Sequence, residues 1–274
     1  MVNVLTGLIG HPVKHSLSPQ IHRYWMRQCG INGAYECWDT PPETLAAHIQ
    51  DIRKREVLGF NITVPHKQAL IPFLDEIDET AKHIGAVNTV LNRDGKLIGI
   101  NTDSYGFITN LKEGLGSLQP YLEQVVVLGA GGAARAVLVS LKKEGAKQII
   151  IINRTTQTAE ALAKEFNCET KLWPADNKMP PRTTLLINTT VLGMQGKDPL
   201  TVDISDLADH AAVHDIVYAP LRTRLLEEAS EQGFTTVDGL GMLLYQAQKA
   251  FALWHGVEPK VTGALRAKMV EKIL

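Results

Sequence analysis

The sequence contains few cysteines and no excess of charge of either sign. Its 274 residues include 3 cysteines, 28 Lys and Arg, and 29 Asp and Glu, for a formal net charge of -1. Cys29, Cys37 and Cys168 are odd in number and lack CxxC spacing, which argues against a disulfide framework and against a structural zinc site. We therefore expect a reducing, cytoplasmic compartment.

Two kinds of partner are also excluded by what is missing. Residues 1–103 carry 10 basic and 11 acidic side chains, and residues 104–274 carry 18 of each, so neither part offers a basic surface to nucleic acid. The strongest apolar runs, 125–128 and 149–152, are far shorter than the ~20 residues that span a bilayer. We expect no nucleic-acid partner and no membrane partner.

Short apolar runs alternate with helical spacing along the first hundred residues. Residues 4–9 and 57–64 are rich in β-branched and aliphatic side chains, and the spacing over 19–29 and 43–55 is helical. This alternation predicts βαβ units. A hairpin turn is predicted at 93–95, because Asp-Gly supplies the positive φ of a tight turn.

A second α/β unit begins at Gln124. A buried strand (VVVL), a glycine-rich turn, a helix and a second strand (IIII) follow one another, and strand-like segments recur at 184–189 and 213–218. The pattern predicts a parallel, doubly wound sheet after a domain break near residue 104. The tail, 239–255, is helical and mostly apolar, and a last short helix follows it.

The clearest local motif is the glycine-rich turn GAGGAA at 129–134, between a strand and a helix. Gly129 permits a tight turn, Gly131 lets a pyrophosphate approach the backbone, and Ala134 keeps helix and strand close. The free amides and the dipole at the helix start attract phosphates. A glycine cluster alone more often marks only a turn, but the flanking strands favour a dinucleotide site here.

The end of the second strand of this unit indicates which dinucleotide is bound. An NAD-selective site usually places Asp or Glu there, whereas this chain has Asn153, Arg154 and Thr155 after Ile152. A guanidinium and a hydroxyl suit a 2′-phosphate, and no carboxylate repels it. These residues predict NADP rather than NAD; the alternative is a solvated Arg154 without a ligand.

Several polar residues of the first domain are candidates for a substrate site. Taken singly, each has a structural explanation: Ser18 would cap a helix that has Pro19 at its first position, and a lysine is by default solvated. Asn61 and Thr63 would be polar strand residues. The candidates are Ser16, Ser18, Asn61, Thr63, Lys67, Asn88 and Asp103.

Together these segments resemble the shikimate dehydrogenase family over essentially the whole chain. The resemblance is carried by nine blocks with consistent spacing: GLIGHPVKHSLSPQIH, GFNITVPHK, GAVNTV, INTDSYGF, VLGAGGAARA, INRT, NTTVLGM, VYAPLRTRLL and VDGLGMLLYQAQKAF. It implies a reversible, NADP-linked reduction of 3-dehydroshikimate to shikimate, on the route to chorismate and aromatic amino acids. The substrate would be a small molecule, and the protein a monomer or homodimer.

The family also implies a two-domain α/β fold. A substrate-binding catalytic domain would occupy residues 1–103, and a Rossmann-like, doubly wound NADP-binding domain would occupy 104–242. The C-terminal helices, in 243–274, would return to the substrate domain.

Site residues are implied by position in the same blocks. Ser16 and Ser18 would bind the substrate carboxylate, with Tyr218 bordering the same pocket. The ring hydroxyls would be bound by Thr63, Lys67, Asn88, Asp103 and Gln246, and Asn61 is grouped with these substrate-binding residues. The cofactor would lie on Gly129, Ala130, Gly131, Gly132, Ala133, Asn153, Arg154 and Thr155, with Ile216, Gly239 and Met242 near its nicotinamide end.

The sequence departs from the family at one position. Many members with the NRT block carry a second arginine four residues after the first, and this chain has Thr158 there. Arg154 alone can hold a 2′-phosphate. We expect the lost cation to weaken the selectivity for NADP over NAD.

Lys67 and Asp103 are the pair that we expect to carry proton transfer. A protonated Lys67 suits the reducing direction as an acid at the ketone oxygen, whereas in the oxidising direction Lys67, Asp103 or a water would take the proton. The histidines show no metal-site spacing, so we expect no metal requirement. Alternatives are a quinate/shikimate or aminoshikimate dehydrogenase, and a catalytically silent dinucleotide-binding regulator.

Overall fold

The computed structural model describes residues 4–273, which divide into two compact units. The first comprises the described residues up to Tyr105 together with Leu244–Lys272, and the second comprises Gly106–Leu243 and Ile273. Two helices, α5 (Asp103–Leu115) and α9 (Gly239–His255), contribute residues to both units.

The first unit is built on a six-stranded sheet that includes one hairpin. Its strands are β1 (Val4–Gly10), β2 (Gly33–Asp39), β3 (Val57–Ile62), β4 (Glu76–Ile77), β5 (Thr89–Arg93) and β6 (Lys96–Ile100). The order is β2-β1-β3-β5-β6-β4. β1 pairs in parallel with β2 and β3, whereas β5 is antiparallel to β3 and β6. Its helices are α1 (Ser18–Gln28), α2 (Leu45–Arg53), α3 (His66–Ala69), α4 (Glu79–Ile84) and α10 (Gly263–Ile273), besides parts of α5 and α9.

The structure confirms the hairpin predicted at 93–95. Asp94 and Gly95 connect β5 to β6 with φ values of 54° and 84°, the positive values that a tight two-residue turn requires. By contrast, β2 was not predicted. It is an edge strand on which Tyr35 is fully buried and most of its neighbours are half-buried or exposed, so the apolar alternation is too weak to reveal it.

The C-terminal helix α9 is anchored on the sheet of the first unit by an aromatic side chain. The Trp254 indole donates to the carbonyl of Val90 at 2.9 Å. Gly59 makes room for it, because a Cβ at that position would collide with the indole ring. The tail therefore returns to the first unit, as the resemblance implies.

A buried histidine lies in the same aromatic cluster. His22 stacks on Tyr35 at a centroid distance of 4.3 Å, and both of its ring nitrogens lack a hydrogen-bond partner within residues 4–273. Burial lowers the pKa of His22 to about 3, and burial also lowers that of the neighbouring His255 to about 4. Both imidazoles are therefore neutral at pH 7.

The second unit contains an all-parallel six-stranded sheet. Its strands are β7 (Gln124–Leu128), β8 (Gln148–Ile152), β9 (Glu169–Lys171), β10 (Leu185–Asn188), β11 (Ala212–Asp215) and β12 (Thr235–Val237), and its helices are α6 (Gly132–Lys143), α7 (Thr156–Phe166) and α8 (Arg224–Glu231), besides parts of α5 and α9. The order is β12-β11-β10-β7-β8-β9. The direction of the strand order reverses between β7 and β10, and ligands of such sheets bind beyond the carboxyl ends of the strands at that point.

The central strands of this sheet explain the continuous apolar runs of the sequence. Residues 125–128 and 149–152 are buried on both faces, as strands of a covered parallel sheet are. The strand predicted over 213–218 ends earlier, at Asp215, because the Asp215 side chain accepts the backbone N–H of Val217 and turns the chain out of the sheet.

The described part of the chain, residues 4–273, contains no helix that is both long and apolar enough to cross a membrane.

The buried histidine predicts an acid-sensitive fold. An unfolded histidine titrates near pH 6.5, whereas folded His22 takes up a proton only at about pH 3, so stability is full above pH 6.5 and is lost as pH falls through that window. Each such histidine contributes a slope of about 1.4 kcal/mol per pH unit.

His22→Phe keeps the ring stack but removes the titrating group. We expect the free energy of unfolding, measured with urea between pH 7.5 and 4.5, to depend on pH with a slope that is smaller by the equivalent of one proton. Equal slopes in wild type and His22→Phe would contradict the assignment.

Candidate active site

A lysine and an aspartate form a largely buried ion pair in the first unit. Lys67 Nζ lies 2.5 Å from Asp103 Oδ2, and the side chains are 17% and 7% exposed. Within residues 4–273, Asp103 is the hydrogen-bond partner found for this ammonium. An ammonium has three N–H donors, so two remain for a ligand.

Local structure fixes both members of the pair. Lys67 is on the short helix α3, whose first residue, His66, is buried and donates from Nε2 to the carbonyl of Thr40 at 2.6 Å. The Lys67 carbonyl accepts the N–H of Val87 at 2.7 Å. Asp103 is the first residue of α5, where a carboxylate is favoured by the helix dipole.

Asn88 links the ion pair to the rest of the polar cluster. Its Nδ2 donates to Asp103 Oδ1 at 2.9 Å and to Thr102 Oγ1 at 3.0 Å, and it lies 3.3 Å from Gln246 Oε1. Its Oδ1 accepts the N–H of Thr102 at 2.7 Å. Asp103 therefore has both oxygens engaged, one by an ammonium and one by an amide.

A chain of buried hydrogen bonds continues away from the ion pair. Asn61 donates to the Asn88 carbonyl at 3.2 Å and to Thr89 Oγ1 at 3.1 Å, and it accepts the Tyr35 hydroxyl at 2.8 Å. The structure thus connects three of the predicted candidates, Asn61, Asn88 and Asp103, through protein atoms alone.

Ser18 does not cap its helix. It is the first residue of α1, with Leu17 at the cap position and no side-chain cap hydrogen bond among the described residues. The Ser16 hydroxyl accepts the N–H of Ser18 at 3.2 Å. Thr63 follows β3 and is half-buried, with its methyl group against the space beside Gly10. The capping explanation for Ser18 is therefore wrong.

The polar cluster also includes three residues outside the predicted candidates: Tyr35, Thr89 and Thr102. Thr102 lies between Asn101 and Asp103 in a run of polar residues that follows a strand. That position in the sequence could have marked it as a residue of the site. Tyr35 gave no such signal, since it lies on an edge strand that the pattern did not reveal.

The glycine-rich turn of the second unit has two glycines with different constraints. Gly129 has φ of 106°, and a Cβ there would lie 2.6 Å from Thr189 Oγ1. At Gly131 a Cβ would meet nothing within 4 Å among the described atoms, so packing inside the protein does not require glycine. Nor does any side chain of the described residues cap α6, which starts at Gly132. Gly131 and this helix start fit a phosphate ligand that approaches the backbone closely.

The candidates for the 2′-phosphate follow β8. Asn153 is half-buried and donates to the carbonyl of Thr155 at 2.9 Å, which shapes the turn. Arg154 and Thr155 are exposed, and Thr158 on α7 is exposed as well. Arg154 carries no salt bridge within residues 4–273, so its guanidinium is available to a ligand.

The remaining cofactor candidates lie in the second unit with Tyr218. Ile216 and Tyr218 follow β11 and are half-buried, and burial raises the pKa of the Tyr218 hydroxyl. Gly239 and Met242, at the start of α9, are buried. Gly239 is in close contact with the Ile216 carbonyl, where a Cβ would collide.

Over residues 4–273 no group of three His, Cys, Asp or Glu side chains is arranged to hold a metal ion. The expectation that the reaction needs no metal stays a prediction.

The sheet order, the glycine-rich turn at its reversal point and the buried lysine–aspartate pair define a two-unit oxidoreductase that depends on a nicotinamide dinucleotide. The chain matches models of the shikimate dehydrogenase substrate binding domain over 8–90, of shikimate / quinate 5-dehydrogenase over 114–179 and of the shikimate 5′-dehydrogenase C-terminal domain over 239–267. It belongs to the shikimate dehydrogenase family, which confirms the resemblance seen in the sequence.

Individual relatives agree over the full length. A shikimate dehydrogenase (NADP(+)) from Chelativorans sp. is 45% identical, covering 96% of this chain and 94% of its own. The structure of shikimate 5-dehydrogenase from Thermus thermophilus with NADP(H) and shikimate has a TM-score of 0.87 at 39% identity, covering 99% and 100%. Quinate dehydrogenase from Corynebacterium glutamicum with NAD has a TM-score of 0.89 at 32% identity, covering 98% and 99%.

Proposed function

We propose that this protein catalyses the reversible, NADP-linked reduction of 3-dehydroshikimate to shikimate. The observation that carries the proposal is the buried Lys67–Asp103 pair, held within a network of amide and hydroxyl groups. A catalytically silent regulator has no need of a buried ammonium with two uncommitted donors. Family membership and NADP-linked relatives support the same reaction.

Lys67 acts at the oxygen of the reacting carbonyl. NADPH, when bound, supplies the hydride that reduces the ketone carbon, and the oxygen then gains negative charge. The Lys67 ammonium stabilises that charge and donates the proton. Asp103 holds the ammonium in place through Oδ2. In the oxidising direction the proton leaves the substrate hydroxyl toward this same pair.

A ring with several hydroxyls and a carboxylate requires fixed polar groups around it. We assign the carboxylate to Ser16 and Ser18, and the hydroxyls to Thr63, Asn88 and Gln246 in addition to the ion pair. Asn61 bonds to Asn88 and Thr89 rather than to the pair, so its role is to hold Asn88. A site built to bond a hydroxyl rejects an analogue that lacks it, because its own buried groups lose their partners.

The cofactor lies on the second unit in this proposal. Gly131 and the start of α6 would hold its pyrophosphate, and Arg154 and Thr155 would hold its 2′-phosphate. Since Thr158 adds no cation, the preference for NADP rests on one guanidinium.

The free thiols are consistent with a reducing compartment. Cys29, Cys37 and Cys168 are free, and burial raises the pKa of Cys37 and Cys168. A raised pKa keeps a thiol protonated and unreactive. We propose a reducing, cytoplasmic location and a monomer or homodimer.

Lys67 and Asp103 are expected to act as one unit. Lys67→Ala and Asp103→Ala should each lower kcat by about 10³-fold or more, and the double variant should be little worse than the poorer single variant, since both serve one proton transfer. Steady-state assays with shikimate and with quinate measure this and separate the two substrates. Unchanged kcat in Lys67→Ala would limit the lysine to a binding role.

The two glycines are expected to respond differently to alanine. Gly129→Ala should lower Tm, because it forces a side chain into positive φ and against Thr189. Gly131→Ala should leave Tm unchanged and weaken NADP+ binding about tenfold, a loss of about 1.4 kcal/mol. Thermal unfolding and calorimetric titration with NADP+ report the two effects. Wild-type affinity in Gly131→Ala would place the pyrophosphate elsewhere.

Arg154 is expected to set the choice of cofactor. Arg154→Ala should raise KM for NADP+ much more than KM for NAD+. The loss of a charged hydrogen-bond partner should cost roughly 1.5–3 kcal/mol of NADP+ binding free energy. Thr158→Arg is the opposite change and should sharpen the preference. An equal effect of Arg154→Ala on both cofactors would refute the assignment.

A further inference from the structure

A second buried carboxylate lies in the other unit, and the mechanism above does not use it. Asp215 ends β11 and is 0% exposed. Its Oδ1 accepts Asn188 Nδ2 at 2.9 Å and the N–H of Val217 at 3.0 Å, and its Oδ2 accepts the Thr223 hydroxyl at 2.7 Å. No salt bridge in residues 4–273 includes it. Three neutral donors therefore hold a buried carboxylate that has no cation beside it. Burying such a group is less favourable for stability than burying an apolar side chain, so its presence points to a role other than stability.

The first donor connects Asp215 to the loop after β10. Asn188 is opposite Asp215 in the register of the two strands. Its Oδ1 accepts the N–H of Thr190 at 2.9 Å and the Thr190 hydroxyl at 2.8 Å, and its Nδ2 reaches the Leu192 carbonyl at 3.2 Å. Asp215 therefore holds the Asn188 amide in the orientation that bonds residues 190–192.

That loop supports the glycine-rich turn. Thr189 donates to the Leu128 carbonyl from Oγ1 at 2.7 Å and from its N–H at 2.8 Å. A Cβ at Gly129 would lie 2.6 Å from Thr189 Oγ1 and 3.1 Å from Thr190 Cγ2. The position of 189–190 therefore limits where the backbone of Gly129 can lie.

The other two donors fix the segment after β11. The bond to the Val217 N–H sets the direction of Ile216, whose carbonyl is in close contact with Gly239 at the start of α9. Thr223 caps α8 by accepting the N–H of Leu226. Because the Thr223 hydroxyl also donates to Asp215 Oδ2, this bond fixes the end of the segment that follows β11. Asp215 thus holds the segments on both sides of its own strand end.

We propose that Asp215 is a positioning residue for the cofactor: its carboxylate holds loop 189–192 under the glycine-rich turn and segment 216–223 beside the start of α9. This inference rests on the proposed cofactor site. Asp215 touches neither ligand in this role. It acts through Asn188, Val217 and Thr223.

The test uses Thr223, where single-atom changes are available and Asp215 stays in place. Thr223→Val removes the hydrogen bond to Asp215, and Thr223→Ser keeps it. We expect Thr223→Val to raise the Kd of NADP+ about fivefold, Thr223→Ser to stay within about twofold, and Asp215→Ala to exceed tenfold, in line with the loss of one and of several buried hydrogen bonds. Calorimetric titration of the whole protein measures each Kd.

Thr184 provides a matched structural control on the same sheet. It is 5% exposed at the opposite, N-terminal edge of β10, and its hydroxyl donates to the carbonyls of Tyr121 and Gln124. Thr184→Val is expected to lower Tm as much as Thr223→Val and to leave NADP+ affinity unchanged.

The outcomes separate the inference from the function on which it rests. Wild-type protein that fails to bind NADP+ overturns both. Wild-type protein that binds NADP+, together with unchanged Kd in Thr223→Val and Asp215→Ala, overturns the positioning role alone. An equal loss of NADP+ affinity in Thr184→Val would also overturn it, since the effect would then follow from stability.

Discussion

The first unit depends on one constraint: an ammonium and a carboxylate are held away from bulk water. Such a pair is stable only when its remaining polar atoms are also engaged. Asn88 engages the second oxygen of Asp103, Thr102 orients Asn88, and Asn61 extends the network toward Tyr35 and β2. These residues come from five separate segments of the chain, so the network depends on the tertiary structure of the unit.

In the second unit, polar side chains support a glycine-rich turn rather than an ion pair. A phosphate that binds backbone amides requires a turn without side chains, and a turn of that kind has little rigidity of its own. Gly129 is therefore backed by Thr189 and Thr190, which Asn188 and Asp215 hold in turn. Polar side chains at the ends of adjacent parallel strands thus perform in this unit what the amide network performs in the first.

Sequence patterns predicted those elements whose signal is local. The hairpin at 93–95 depends on the φ preferences of two residues, and β7 and β8 depend on unbroken apolar runs. Edge strand β2 was missed because it is buried at few positions. The strand predicted to 218 ends at Asp215 because a side chain there bonds the backbone two residues on.

The sequence by itself determined the family, the glycine-rich turn, the Arg154 position and the identity of Lys67 and Asp103 as a candidate pair, because each depends on residue types at fixed spacing. Only the tertiary structure decided which polar residues support them. Tyr35, Thr102 and Asp215 make hydrogen bonds between distant segments, and bonds of that kind leave no periodic trace along a chain.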